Sequence, residues 1–335
     1  MKKLLTLLSL LLVFCVRGKV TERVKLLPIK TIKEEGIAHK LAFSPDGQFL
    51  ACAGGRYTDV KVLNTSSWTK VKSLTGHNEP IWVVSFHPNG KYLVSAGWDG
   101  TIRIWQTSDW KEVKVLTGHK GGVFSIAFSP DGKFLASGGN DSLVRIWVTG
   151  GWTEIKSLPG HQAKVTSVAF SPNGDFLASG SYDQTVKVWK TQDWKEIKTL
   201  PTKGIVHCVA FSPDGYYLVS DGWKKIYLWD TRNWSQINKL KFRQLSFVGF
   251  HPNGKYLLAS DWACPAFRIP IIEKYQIRIW DTQDWSLVGK KTLNELASTI
   301  AISPDGKSTV FGQKEEIVIC ELVASKIKKN CTTLE

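Results

Sequence analysis

Residues Gly118 to Trp147 read GHKGGVFSIAFSPDGKFLASGGNDSLVRIW, and the fold is decided there. Val123 to Phe128 is a short apolar run rich in β-formers. Ser129-Pro130-Asp131-Gly132 is a turn: Pro fixes φ near about −65° and Gly supplies the positive φ close to its end. Phe134 to Ser137 reads as a second strand and Gly138-Gly139-Asn140-Asp141 as another turn. Leu143 to Trp147 alternates apolar and charged residues, the pattern of a half-exposed third strand. Tight connections make the three strands antiparallel. Three strands of this length bury too little surface to stand alone.

The turn recurs along the chain. It appears as Ser44-Pro45-Asp46-Gly47, His87-Pro88-Asn89-Gly90, Ser171-Pro172-Asn173-Gly174, Ser212-Pro213-Asp214-Gly215, His251-Pro252-Asn253-Gly254 and Ser303-Pro304-Asp305-Gly306. Counting Ser129-Pro130-Asp131-Gly132, successive prolines lie 43, 42, 42, 41, 39 and 52 residues apart. Seven repeats of nearly constant length, each with several short strands, predict small sheets stacked radially rather than one large sheet.

Gly76-His77, Gly118-His119 and Gly160-His161 open three repeats, and Trp105, Trp147, Trp189, Trp229 and Trp280 close third strands, with Asp230 and Asp281 following. On these residues the chain resembles the WD-repeat β-propeller family over about residues 27 to 323. The resemblance implies an all-β fold, a seven-bladed β-propeller of four-stranded antiparallel blades. It also implies a hydrogen-bonded ladder in three blades: His77, Ser95, Asp99 and Trp105; His119, Ser137, Asp141 and Trp147; His161, Ser179, Asp183 and Trp189. Blades 1, 5, 6 and 7 lack the Gly-His pair and the turn Asp, and Leu63 and Cys320 stand where Trp is expected. Those blades are expected to rely on packing alone. By the same resemblance the protein is a non-catalytic protein–protein interaction platform. Its partner-binding rim would carry His39, Trp82, Trp98, Phe124, Asn140, Thr166, Tyr182 and His207. Trp82, Trp98, Phe124 and Tyr182 would form an aromatic arc there, the composition of interface hot spots.

Of fifteen Trp, eleven fall at two repeat positions: the five above, and Trp68, Trp110, Trp152, Trp194, Trp234 and Trp285 at the start of each outer strand. Both series read as blade packing. Ahead of the repeats, Lys2-Lys3 and the uncharged run of 13 residues from Leu4 to Val16 read as a secretory signal peptide over 1–18. The run is short for a transmembrane span, so residues 19–335 are expected to be an exported propeller without one. If the segment is not a signal, the protein is cytoplasmic. Leu27–Ile32 reads as an outer strand with no inner strands before it, closing the last blade; Ala324 to Lys329 is the rival for that place. Blade 6 holds an insertion over 262–275, WACPAFRIPIIEKY with Tyr275 at its end.

The formal net charge is +15, and +12 without Lys2, Lys3 and Arg17. The lysines recur around the ring on outer strands, where they discourage edge-to-edge pairing. That placement and export disfavour nucleic acid as a partner, and leave a protein partner and a monomer as the expectation. Six cysteines form no framework, although Cys320 and Cys331 are close enough in sequence to pair in an oxidising compartment. The Gly-His histidines recur at repeat spacing, which points to the ladder and not to metal ligands. No catalytic fingerprint is present, and neither a metal nor a cofactor is expected. Two alternatives stay open: a propeller enzyme with a central-channel site, and an anion- or glycan-binding envelope protein using the basic surface.

Overall fold

The computed structural model describes residues 20–33, 40–53, 58–242, 245–261, 275–297, 299–313 and 316–328. All regular elements in them are β-strands. Among these residues no helix is long and apolar enough to cross a membrane. The N-terminal apolar run, His39, Cys331 and 262–274 of the blade 6 insertion lie outside the described residues.

The proline turns set the pattern. Ser129 Oγ–H donates to Asp131 Oδ1 at 2.6 Å and accepts the Phe134 N–H at 2.9 Å, while Gly132 takes a φ of 72°. The closed turn folds Val123–Phe128 back onto Phe134–Gly139; Val144–Val148 and Thr153–Leu158 follow in antiparallel order. Four-stranded sheets of the same order span 40–75, 81–116, 165–201 and 209–241. The remaining strands form one eight-stranded sheet. It divides into four strands from 245–293 and four from 299–328 with Val20–Lys33. These groups are blades 1 to 7, counted in chain order from residue 40.

A blade is apolar on both faces, so it must be sandwiched between two others. Seven hydrophobic cores do this, one at each blade interface. Val94, Ile102 and Ile104 of blade 2, for example, meet Ile126, Leu135 and Trp147 of blade 3. The circuit closes where Val310, Ile317 and Ile319 of blade 7 meet Leu41, Leu50 and Leu63 of blade 1. The architecture is therefore a β-propeller, with seven blades among the described residues. Between inner strands, Ser125 Oγ accepts the Val168 N–H and Ser167 Oγ accepts the Val209 N–H, each at 3.0 Å, tying blade 3 to 4 and 4 to 5.

The outer Trp series drives each of blades 1 to 6 into the one before it. Trp68, Trp110, Trp152, Trp194, Trp234 and Trp285 all adopt left-handed φ between 52° and 60°, a region unfavourable for bulky residues. At Trp68, Trp110, Trp194 and Trp234 the turn that imposes it is closed by the Trp N–H bonding the carbonyl four residues back, as in Trp110 to Gln106 at 2.8 Å. It aims the indoles of blades 2 to 6 edge-on at Phe49, Tyr92, Phe134, Phe176 and Tyr217, with centroids 5.2–5.5 Å apart.

The N-terminal strand Val20–Lys33 lies antiparallel along Glu316–Lys328, from Val20 opposite Lys328 to Lys33 opposite Glu316. A bulge falls between Pro28 and Lys30, where Pro has no N–H to lose. Residues 324–328 continue the third strand of blade 7 and do not fold back as a fourth. The N-terminal strand also reaches one blade further. Val24 pairs in parallel with Gly289 of the outer strand Leu287–Leu293 of blade 6. A Cβ on Gly289 would stand 2.5 Å from the Val24 carbonyl oxygen, so only glycine admits the approach. In blades 2 to 4 that register holds Lys114, Lys156 and Lys198, and the outer edge stays open. Cys320 is fully buried in the core between blades 6 and 7.

Replacing Gly289→Lys should push the N-terminal strand off blade 6 and lower stability by about 1–3 kcal/mol. Urea unfolding combined with hydrogen exchange at Val24 and its neighbours checks this. An unchanged midpoint with unchanged protection would show that the contact holds nothing together.

Candidate interaction face

The loops that lead into the first strands, and the turns between second and third strands, are fixed from beneath by the ladder residues. His77 Nδ1 lies 2.7 Å from Asp99 Oδ2 and Nε2 lies 2.9 Å from Ser95 Oγ; Trp105 Nε1–H donates to the same Oγ at 2.9 Å. The same contacts measure 2.9, 2.8 and 2.9 Å for His119, Asp141, Ser137 and Trp147, and 2.7, 2.8 and 2.9 Å for His161, Asp183, Ser179 and Trp189. A carboxylate only accepts, so Nδ1 carries the proton. In the neutral ring Nε2 then accepts from the Ser hydroxyl, whose oxygen accepts the indole N–H. Each chain of donors runs in one direction, and the three Ser are completely buried.

Burial holds the His77 and His161 rings below the usual imidazole range, despite the opposing pull of Asp99 and Asp183. Burial alone would raise the Asp141 carboxyl. The hydrogen bond from His119 and the N–H groups of Lys120 and Leu143 outweigh it and bring the group to about 2.

Blade 5 does not rely on packing alone. Trp229 Nε1–H still donates to Ser220 Oγ, at 3.1 Å. Tyr227 stacks on Trp229 with centroids 5.9 Å apart, and its oxygen accepts the Lys203 N–H at 2.9 Å. Asp221 accepts the N–H groups of His207 and Cys208 at 2.6 and 2.9 Å and faces His207 Nδ1 at 3.0 Å. A tyrosine thus takes over the pinning of the leading loop that a histidine performs in blades 2 to 4.

One backbone bond recurs above these networks. The N–H groups of Trp98, Asn140, Tyr182 and Trp223 donate to the carbonyls of Pro80, Gly122, Lys164 and Lys203, at 3.0, 2.9, 3.1 and 2.6 Å. The four residues hold equivalent places on one face of blades 2 to 5. Trp82, Trp98 and Phe124 meet edge-on with centroids 5.3–6.1 Å apart. Trp98 is 45% exposed and Phe124 only 4%, so Phe124 props the shelf on which Trp98 stands. Lys164 Nζ sits 5.2 Å from the Phe124 ring centroid and 3.8 Å from that of Tyr182, and Tyr182 meets His207 at 5.7 Å. Thr166 is half-buried, its hydroxyl donating to the Val206 carbonyl. Asn140 is exposed. The structure therefore joins Trp82, Trp98, Phe124, Tyr182 and His207 through Lys164 into one continuous track.

Two features escape motif reading. Trp223 falls outside both Trp series in sequence, yet it stands five residues after Leu218 as Trp98 stands five after Leu93, which makes it the blade 5 counterpart of Trp98, and it is 70% exposed. On the opposite turns, His87 and His251 replace Ser and bridge blades: Nδ1 accepts the N–H of Asn89 or Asn253, and Nε2–H donates to Gly132 O or Gly306 O at 2.9 Å. Their signal was the pair of His-Pro-Asn-Gly turns. The basic third-strand residues are also partly neutralised: Arg103, Arg145 and Lys187 pair with Glu112, Glu154 and Glu196 at 2.6, 2.8 and 2.8 Å.

Comparison with known proteins agrees with this geometry. The family described as WD domain, G-beta repeat matches residues 68–106, 110–148, 152–190 and 194–230. The chain is 35% identical over 66 residues to the Target of rapamycin complex subunit wat1 of Schizosaccharomyces pombe, covering 20% of this chain and 21% of that protein. It is 42% identical over 67 residues to WD repeat and HMG-box DNA-binding protein 1 of Xenopus laevis, covering 20% and 6%. An uncharacterized WD repeat-containing protein of Synechocystis is 42% identical over 65 residues, covering 19% and 18%. The similarity thus spans about a fifth or less of each relative's length.

The ladders make the ring acid-sensitive. His77 and His161 take up a proton less readily folded than unfolded, where the value is 6.5. Their contribution is complete above pH 6.5 and declines as the pH falls below it. Asp141 adds stability above its ordinary 3.8 that is lost as the pH falls toward about 2. Urea midpoints should therefore drop between neutral pH and about pH 5. A His77→Asn/His161→Asn variant should be less stable at neutral pH with a flatter profile. Parallel profiles would refute the assignment of neutral, buried rings.

Proposed function

We propose that this chain, a member of the WD-repeat family, is a non-catalytic platform that holds a protein partner on the face formed by the leading loops and second turns of blades 2 to 5. WD40 repeats in general build protein-interaction scaffolds. The observation that supports this particular face is Trp98, 45% exposed on a shelf of Trp82 and Phe124 and pinned through its turn by the His77 ladder. A large ring presented by a rigid turn loses little conformational freedom on binding, the property of an anchor residue.

The platform is read as working outside the cytoplasm, as a monomer, with residues 1–18 removed as a signal and 19–335 forming a single propeller. Support comes from Lys2-Lys3 followed by the uncharged run Leu4 to Val16. The formal charge of +12 that remains is spread over several blades, which favours a protein partner over nucleic acid.

Affinity capture from host extract should compare the chain from Lys19 with a Trp98→Ala/Tyr182→Ala variant of unchanged unfolding midpoint. A protein enriched by the first and lost with the second is the expected result. Identical captures would remove this face from consideration. N-terminal sequencing of the protein purified from its host should begin at Lys19; a chain beginning at Met1 would end the export reading.

A further inference from the structure

We propose that the segment held on this face is an acidic stretch of polypeptide carrying an aromatic or branched apolar anchor, an inference that rests on the platform reading above. The charges of the face carry it. In the leading loops and second turns of blades 2 to 5, every aspartate is turned inward. Asp99, Asp141 and Asp183 bond the ladder histidines, and Asp221 is 2% exposed beneath His207. The lysines are left outward: Lys120, Lys203 and Lys224 are exposed and Lys164 is half-buried. Among the described residues none of these four ammonium groups makes an ion pair with a carboxylate, whereas third-strand cations such as Arg103 and Lys187 do. Glu79, at the blade 2 end, is the exposed carboxylate of this sector. The inward carboxylates are neutralised by the fold itself, so a partner meets the lysines.

The apolar part of the face selects the anchor. Trp98 and Trp223 are 45% and 70% exposed, and Ile205, in the loop that packs under Trp223, is 36% exposed. Gly204 makes that packing possible, since a Cβ there would lie 2.6 Å from the Trp223 nitrogen. Lys164 already caps the Tyr182 and Phe124 rings, so a basic segment finds those ring faces taken and meets like charge. No arginine fork for bidentate phosphate contact occurs in these loops and turns. Exposed Asn140, Gln162 and Gln184 lie between the lysines, suited to the N–H and C=O groups of an extended peptide.

The test uses the chain from Lys19 and three fluorescent synthetic peptides read by anisotropy. The first is rich in Asp and Glu with Phe and Leu anchors, the second is the same peptide with Lys for every acid, and the third keeps the acids but replaces the anchors by Ser. The first should bind, more weakly at high salt; the second should not, and the third should bind at least about tenfold more weakly than the first. Lys203→Glu/Lys224→Glu should lose about tenfold or more in affinity for the first peptide. Lys156→Glu/Lys198→Glu, the same charge change on the outer strands, should leave it unaltered. Equal losses in both double variants, preference for the basic peptide, or equally tight binding of a DNA duplex would each overturn the proposal. Failure here is separable from failure of the platform. A captured partner lost with Trp98→Ala/Tyr182→Ala but kept by Lys203→Glu/Lys224→Glu leaves the platform standing without an acidic ligand.

Discussion

Six tryptophans held in a left-handed backbone conformation set the spacing of the ring. Such a conformation costs a bulky residue on the order of 1 kcal/mol or more. Each indole is repaid by burial against its neighbour, and in blades 2 to 6 by an edge-to-face pair worth roughly 0.5–1.5 kcal/mol beyond the area buried. The exchange is favourable only while the preceding blade is in place to receive the ring. Strain made locally is therefore relieved only globally, which couples each of blades 1 to 6 to the one before it and makes a set of small sheets behave as one body.

On that frame the ladders do a narrower task. They convert three buried serines, which would otherwise be a penalty, into junctions that fix loops on one face. Blade 5 reaches a similar end with different atoms, since Tyr227 supplies the oxygen that pins its leading loop. Blades 2 to 5 thus share a stiffened face although only three of them share a motif. The inward aspartates belong to that stiffening, and it is their engagement that leaves the lysines unopposed on the surface.

The ring was legible because its signals are local and repeated. A proline turn of nearly constant period, and two Trp series, fix strand order without any knowledge of distant contacts. Less legible were features depending on residues far apart in the chain. Gly289 looks like an ordinary break in an outer strand until Val24 is brought against it. His87 looks like a variant turn residue until Gly132 of the next blade approaches its ring. Trp223 carries no turn motif, because its repeat lacks the Asp that marks the turn in blades 2 to 4. Only the count of five residues from Leu218, as from Leu93 to Trp98, marks it as a counterpart, and the Lys203 carbonyl that holds its N–H lies two residues further upstream than the acceptors in blades 2 to 4. Phe124 shows the converse: its position is legible, but its burial beneath Trp98 is a product of packing between blades.

The long pairing of Val20–Lys33 with Glu316–Lys328 also fixes an order of events. Ser325 donates to the Arg23 carbonyl across 302 positions of sequence, so Val20–Lys33 is made long before the strand it pairs with. Through that interval its alternating apolar side chains, and the edge of blade 6 that Val24 will cover, have no native partner. Contacts this distant in sequence slow the final step of folding and leave an edge open to other chains. A ring sealed between strands this far apart in the chain acts as a check on its own completion: blades 1 to 6 can be present and largely stacked, yet the closed body, and any partner surface that requires it, exists only once Glu316–Lys328 has paired with Val20–Lys33.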